Sequence, residues 1–149
     1  MTAKKIIVIL MALVASVGMA RADKYTINRE ELPLEAREFI TTHFPKAKIA
    51  MIKVDRHLLK KTDYDVRFVN GTKVEFNNSG KWTSVEMKKG AVPSSIVPKR
   101  IRDYVAKNYD GTDIVEIEKD HKGYTVELAD DIELKFDLLG TFRKVDFPD

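Results

Sequence analysis

Cysteine is missing from all 149 residues. Its absence excludes a disulfide framework, a thiol nucleophile, a thiolate metal site and lipid attachment to an N-terminal cysteine. Histidine is almost missing: His43, His57 and His121 are the only three. None stands in a His-Glu-x-x-His pair, and no Gly-x-Ser-x-Gly nucleophile motif occurs. No residue is therefore assigned a catalytic role, and the chain reads as a non-enzyme. The acidic pairs Asp63/Asp65 and Asp130/Asp131 lack the spacing and glycine of a calcium loop, so they read as solvated turns and no metal or cofactor is expected.

Long apolar runs are scarce as well. The longest, Ile6 to Val17, is too short to span a bilayer and follows Lys4 and Lys5. Ala20-Arg21-Ala22 then offers the small-x-small pattern that signal peptidase accepts. Residues 1–22 read as a cleavable signal peptide, with the mature chain starting at Asp23 and carrying no membrane anchor. The expected compartment is periplasmic or secreted. Net charge is the last absence. The chain totals 26 basic against 23 acidic residues, but Lys4, Lys5 and Arg21 leave with the signal, so the mature chain carries 23 of each sign. A nucleic-acid partner needs a basic surplus on one face, and none is available.

What is present is an internal repeat. Leu32-Pro33 through Phe44 aligns without gaps on Val97-Pro98 through Tyr109, and the match continues through Ile49/Ile114, Ile52/Ile117 and Asp55/Asp120. After a shorter loop in the second copy, Tyr64-x-Val66-x-Phe68 matches Tyr124-x-Val126-x-Leu128. Val74-x-Phe76 matches Leu134-x-Phe136, and Gly80-x-Trp82-x-x-Val85 matches Gly140-x-Phe142-x-x-Val145. Ala36, Phe39, Ile40 and Phe44 recur at helical spacing, as do Ile101, Tyr104, Val105 and Tyr109. Pro33 and Pro98 suit the helix starts. The period then shifts to two, as in Tyr64-Asp-Val66-Arg-Phe68 and Ile132-Glu-Leu134-Lys-Phe136, which predicts strands with one wet face. Asn70-Gly71 signals a hairpin. The spacing also allows a short extra turn around residues 28–32 or 94–97.

The predicted class is α+β: two tandem repeats, 23–90 and 91–149, each a helical element packed on an antiparallel sheet of about four strands, with a linker near Met87 to Val92. One unit of roughly 60 residues is marginal alone, whereas two packed together bury enough surface to be stable.

The succession Leu32-Pro33, an amphipathic helix ending at Phe44-Pro45 or Tyr109-Asp110, Tyr64-x-Val66, Asn70-Gly71 and Phe76-Asn-Asn-Ser-Gly-Lys-Trp82 resembles the PepSY-like repeat of secreted bacterial proteins, also described as β-lactamase-inhibitor-like. The resemblance implies a tandem arrangement like that of the β-lactamase inhibitor protein and transfers no activity. In the second copy Phe142 replaces the tryptophan, and Leu138-Leu139 stand where polar turn residues are usual.

Four residues are candidates for binding. Trp82 either closes the core or stands out as an interface anchor. Arg67, Lys73 and Glu75 line the outer face of the first predicted sheet, matched by Glu127, Glu133 and Lys135 in the second. The expectation is a periplasmic, non-catalytic binding module that docks a protein or peptide, as an inhibitor does. The alternative is a small-ligand or envelope-stress sensor using a crevice between the two units.

Overall fold

The computed structural model describes residues 23–56 and 62–149; the expected signal segment and His57 lie outside the described residues. Apolar residues returning every three or four positions wind into α1 (Leu34–His43) and α2 (Lys99–Asn108). Pro33 and Pro98 stand just before the first helical residue, where a missing N–H costs nothing. Each helix ends on an aromatic residue whose N–H donates back to the carbonyl four residues earlier, Phe44 to Ile40 and Tyr109 to Val105, both at 2.8 Å. A short 3-10 turn, Arg29–Glu31, precedes α1, and the Asn28 side chain accepts from the Glu30 N–H at 3.1 Å.

Among the described residues nine strands follow in order: β1 (Lys24–Thr26), β2 (Ile49–Asp55), β3 (Asp63–Phe68), β4 (Lys73–Phe76), β5 (Trp82–Glu86), β6 (Ile114–Lys119), β7 (Gly123–Leu128), β8 (Glu133–Asp137) and β9 (Phe142–Asp146). All pair antiparallel with their sequence neighbours in a single sheet. This corrects the expectation of a separate sheet in each half. β5 pairs with β6 through Ser84↔Glu118, Val85↔Ile117 and Glu86↔Glu116. A bare sheet edge leaves a row of unpaired N–H and C=O groups, and joining the two edges satisfies both. The segment expected to be a linker is tied to the same junction: the N–H groups of Met87 and Val92 donate to the carbonyls of Val115 and Ile114, each at 2.8 Å. β1 was not foreseen, because three residues are too few to show a period.

Four bulges interrupt the ladder, between Ile49/Met51, Glu75/Phe76, Ile114/Glu116 and Lys135/Phe136. Each inserts one residue and returns an apolar side chain to the helix side after three positions instead of two. Ile49 and Ile52, Trp82 and Val85, Ile114 and Ile117, and Phe142 and Val145 are spaced in this way.

Both helices lie over the same face of the sheet. Ala36, Ile40, Ile101 and Val105 are buried with Ile52, Val66, Val74, Val85, Ile117, Val126 and Leu134 in one continuous core. Phe39 meets Phe76 edge-on at 5.5 Å between ring centroids, and Tyr104 meets Phe136 the same way at 5.4 Å. Burial of each such aromatic contributes about 1.5–3 kcal/mol. Gly80 lets the β4–β5 turn approach α1: a Cβ there would stand 2.9 Å from the Ala36 nitrogen and 2.9 Å from the Pro33 Cβ. Val92, Ile96 and Val97, from the β5–α2 connection, complete the core between the halves.

Candidate functional site

Both helices lie on one face, and among the described residues no helix lies on the opposite face of the sheet, whose residues form two lateral rows. One row runs Met51, Arg67, Lys73, Glu86, Glu116, Glu127, Glu133 and Asp146, each residue directly opposite the next on consecutive strands β2 to β9. The second runs Lys53, Asp65, Glu75, Ser84, Glu118, Thr125, Lys135 and Lys144. Neighbouring strands are about 4.8 Å apart, so facing side chains interact and like charges destabilise.

Toward both sides of the sheet the charges balance. Lys73 lies 2.8 Å from Glu75 and 3.8 Å from Asp65, which Arg67 also approaches at 3.8 Å. Lys135 lies 3.4 Å from Glu133, and Lys144 2.7 Å from Asp146. Lys53 holds Asp55 at 3.3 Å. The Glu75 hydrogen bond raises the affinity of Lys73 for its proton, whereas burial raises Asp65 in spite of its basic neighbours. The centre is different. Among the described residues no basic side chain reaches ion-pair distance of Glu86, Glu116, Glu118 or Glu127. Glu116 is pushed up to about 8: burial on the central strand disfavours its charge, hydrogen bonds to Glu127 and Glu118 hold the proton, and the Glu118 and Glu86 carboxylates repel a further negative charge.

Of the candidates from sequence, Arg67, Lys73 and Glu75 stand together on the open face. Trp82 does not join them. It is half-buried on the helix side, with its ring 6.2 Å from Phe39 and 6.5 Å from Tyr124, and so packs across the junction of the two halves. The β5 bulge turns it inward. His43 closes the same junction from above: Nδ1 is 2.8 Å from the Ser95 hydroxyl, and burial lowers its pKa. His121 is exposed on the β6–β7 turn. Sequence reasoning missed Glu86, Glu116 and Glu118, because only the strand register reveals that Glu86 and Glu116 share a row with Glu127 and that Glu118 stands in the row beside it.

The open face is shallow. Two depressions, of about 210 and 190 Å³, share Glu75 and Thr83 as walls, one reaching Asp65 and the other Glu118. Both fall short of the roughly 300–1,000 Å³ of small-molecule pockets, whereas a third, of about 570 Å³, lined by Thr125 and Lys135 with Asp120, Lys122 and Arg143, lies within that range. Among the described residues no group of three or more His, Asp or Glu side chains is placed to hold a metal ion, and no helix is long and apolar enough to cross a membrane.

Residues 62–144 match the family described as "Putative beta-lactamase-inhibitor-like, PepSY-like". The chain belongs to the PepSY-like family. Three solved structures from Bacteroides show how far the likeness extends. A "putative periplasmic protein of unknown function" from Bacteroides vulgatus is 38% identical, with a TM-score of 0.80, covering 84% of this chain and 99% of its own. A "putative calcium-regulated periplasmic protein" from Bacteroides thetaiotaomicron is 39% identical, with a TM-score of 0.79, covering 83% and 96%. A second "putative periplasmic protein" from Bacteroides vulgatus is 41% identical over 85% of this chain and 98% of its own, with a TM-score of 0.79. Among curated proteins none matches the chain. The PepSY-like sheet is thus a known architecture.

Proposed function

We propose that the chain is an exported, non-catalytic binding module of the periplasm, built from two copies of one helix-plus-sheet unit, whose uncovered sheet face docks a protein or peptide. The observation that carries this reading is the one-sided burial of the nine-stranded sheet: one face bears the whole core and both helices, and the other presents two ordered rows of side chains. A broad face that spans nine antiparallel strands suits a macromolecule better than a small ligand. The aligned residues differ in sign across the two halves, Arg67 against Glu127, Lys73 against Glu133 and Glu75 against Lys135, so the face is asymmetric and can fix one orientation of its partner. The periplasmic titles of the three relatives support the compartment, and the inhibitor-like family description agrees with a docking role.

A photo-crosslinking residue placed in turn at Thr125 and Lys135 on the open face, and at Glu38 and Lys107 on the helices, tests the docking face in living cells. Crosslinks to an envelope protein from the first two positions are expected. Crosslinks confined to the helix positions would move the interface to the other side of the molecule. N-terminal sequencing of the same material should begin at Asp23.

A further inference from the structure

Across the open face the first row changes sign once. After Met51 it holds Arg67 and Lys73 and then five acids, Glu86, Glu116, Glu127, Glu133 and Asp146. Glu133 and Asp146 are compensated by Lys135 and Lys144, while Glu86, Glu116 and Glu127 are not compensated from within the described residues. The fold does not require this arrangement. Glu116, Glu127 and Glu133 align with Met51, Arg67 and Lys73 of the first half, which occupy corresponding places on corresponding strands without acidic side chains. A surface that balances its charges at both sides, leaves Glu86 and Glu127 without a basic partner and sets between them a Glu116 that keeps its proton until about pH 8 is complementary to a cation, which can take that proton's place.

We propose that this row is a docking surface for a basic α-helical segment of a partner protein, laid across the strands with its lysines and arginines over Glu86, Glu116, Glu127 and Glu133. The proposal rests on the docking reading above and adds the chemistry of the partner. The geometry suits a helix. Residues on one helical face recur every 4.5 to 6 Å along the axis, roughly, and strands recur every 4.8 Å or so, which permits about one cation per carboxylate. The sign change gives the direction: the cationic stripe must stop, or turn acidic, where it reaches Lys73 and Arg67.

The test uses the mature chain and a defined probe, a fluorescent alanine-based helical peptide with lysines at i, i+4, i+7 and i+11, followed by anisotropy at pH 9, where Glu116 has released its proton, at low and high salt. Its partner control has the same composition with the lysines scattered around the helix. Glu127→Arg with Glu133→Lys, which installs the residues found at the aligned positions of the first half, should weaken binding of the striped peptide at least about tenfold. Glu35→Lys with Glu38→Arg, the same charge change on the exposed side of α1, should alter it by less than about twofold. Where a thermal melt shows the open-face pair unfolded, Glu127→Gln with Glu133→Gln replaces it, with a loss of about threefold or more expected. Equal losses from the open-face and helix pairs would reduce the effect to net charge and overturn the proposal. Equal affinity for striped and scattered peptides would do the same. The docking reading fails separately: crosslinks confined to the helices sink it whatever the probe does. An envelope partner crosslinked at Lys135 and still captured after Glu127→Arg with Glu133→Lys would sink the basic helix alone.

Discussion

Replacing Glu116 by glutamine removes a carboxyl group that the native state resists ionising while keeping its size and hydrogen-bonding capacity. In the fold this group titrates at about 8 instead of its ordinary 4.5, chiefly because burial on β6 disfavours the charge, with Glu127, Glu118 and Glu86 adding to the effect. For an acid whose folded value is raised, the unfolded chain releases its proton first. Stability falls as pH rises from about 4.5 to 8 and is level above that. Full conversion at 1.36 kcal/mol per unit would give roughly 5 kcal/mol. The face is open to water, which screens such interactions strongly, and about 1–2 kcal/mol is the reasonable share. Glu116→Gln should therefore leave stability at pH 4.5 nearly unchanged and raise it by about 1–2 kcal/mol at pH 9, or roughly 3–8 °C in Tm for a domain of this size. Urea titrations at both values measure it, read from the midpoint at constant slope. An equal gain at both pH values, or a loss at pH 9, would mean that the carboxylates do not repel one another as the register requires.

Further expectations concern the core and its junction. Phe76 and Phe136 are 1% and 3% exposed at corresponding places of β4 and β8, so truncating either to alanine should cost about 3–5 kcal/mol in a denaturant melt. Gly123 has a φ of +153°, and a Cβ there would collide with the Phe136 carbonyl oxygen; Gly123→Ala should break the β7–β8 ladder and cost at least about 2 kcal/mol, visible as lost amide protection in both strands. Burial lowers the pKa of His43, and a base with a lowered folded pKa loses stability as pH falls through its unfolded value near 6.5. His43→Gln should remove that acid-side loss, seen as a flatter Tm profile between pH 5 and 7.

The helices, the Asn70-Gly71 hairpin and most of the core are legible in the sequence because each depends on residues close together in the chain. Period and turn chemistry locate Phe39, Ile40, Val66, Phe76 and their counterparts. The β5–β6 pairing is not legible in this way. It joins edges separated by α2, and nothing in Thr83-Ser84-Val85 names Glu118-Ile117-Glu116 as its partner. The bulges did leave a trace: apolar residues three apart inside strands, as in Ile49 and Ile52 or Trp82 and Val85, mark an inserted residue. Following that trace would have turned Trp82 toward the helices and separated it from Arg67, Lys73 and Glu75. The central carboxylates were hidden for a stronger reason. Glu86, Glu116, Glu127 and Glu133 look like unrelated outward positions until the register sets them side by side.

That register also links stability to docking in a way that can be tested for sign. A wet sheet face needs only residues that tolerate the pleat, and threonine, lysine or arginine would serve at β6 and β7 without mutual repulsion. Glutamates facing one another there cost stability in the isolated protein, and a basic segment laid over them would offset that cost only in the complex. Glu116→Gln, and Glu127→Gln beside it, should then act in opposite directions in two assays, raising the melting temperature at pH 9 while weakening the lysine-striped probe. Surface charges that served solubility alone would give the first effect without the second, because the probe would have no row to follow. Both effects from the same two side chains are the expected signature of a face in which docking is kept at the expense of stability.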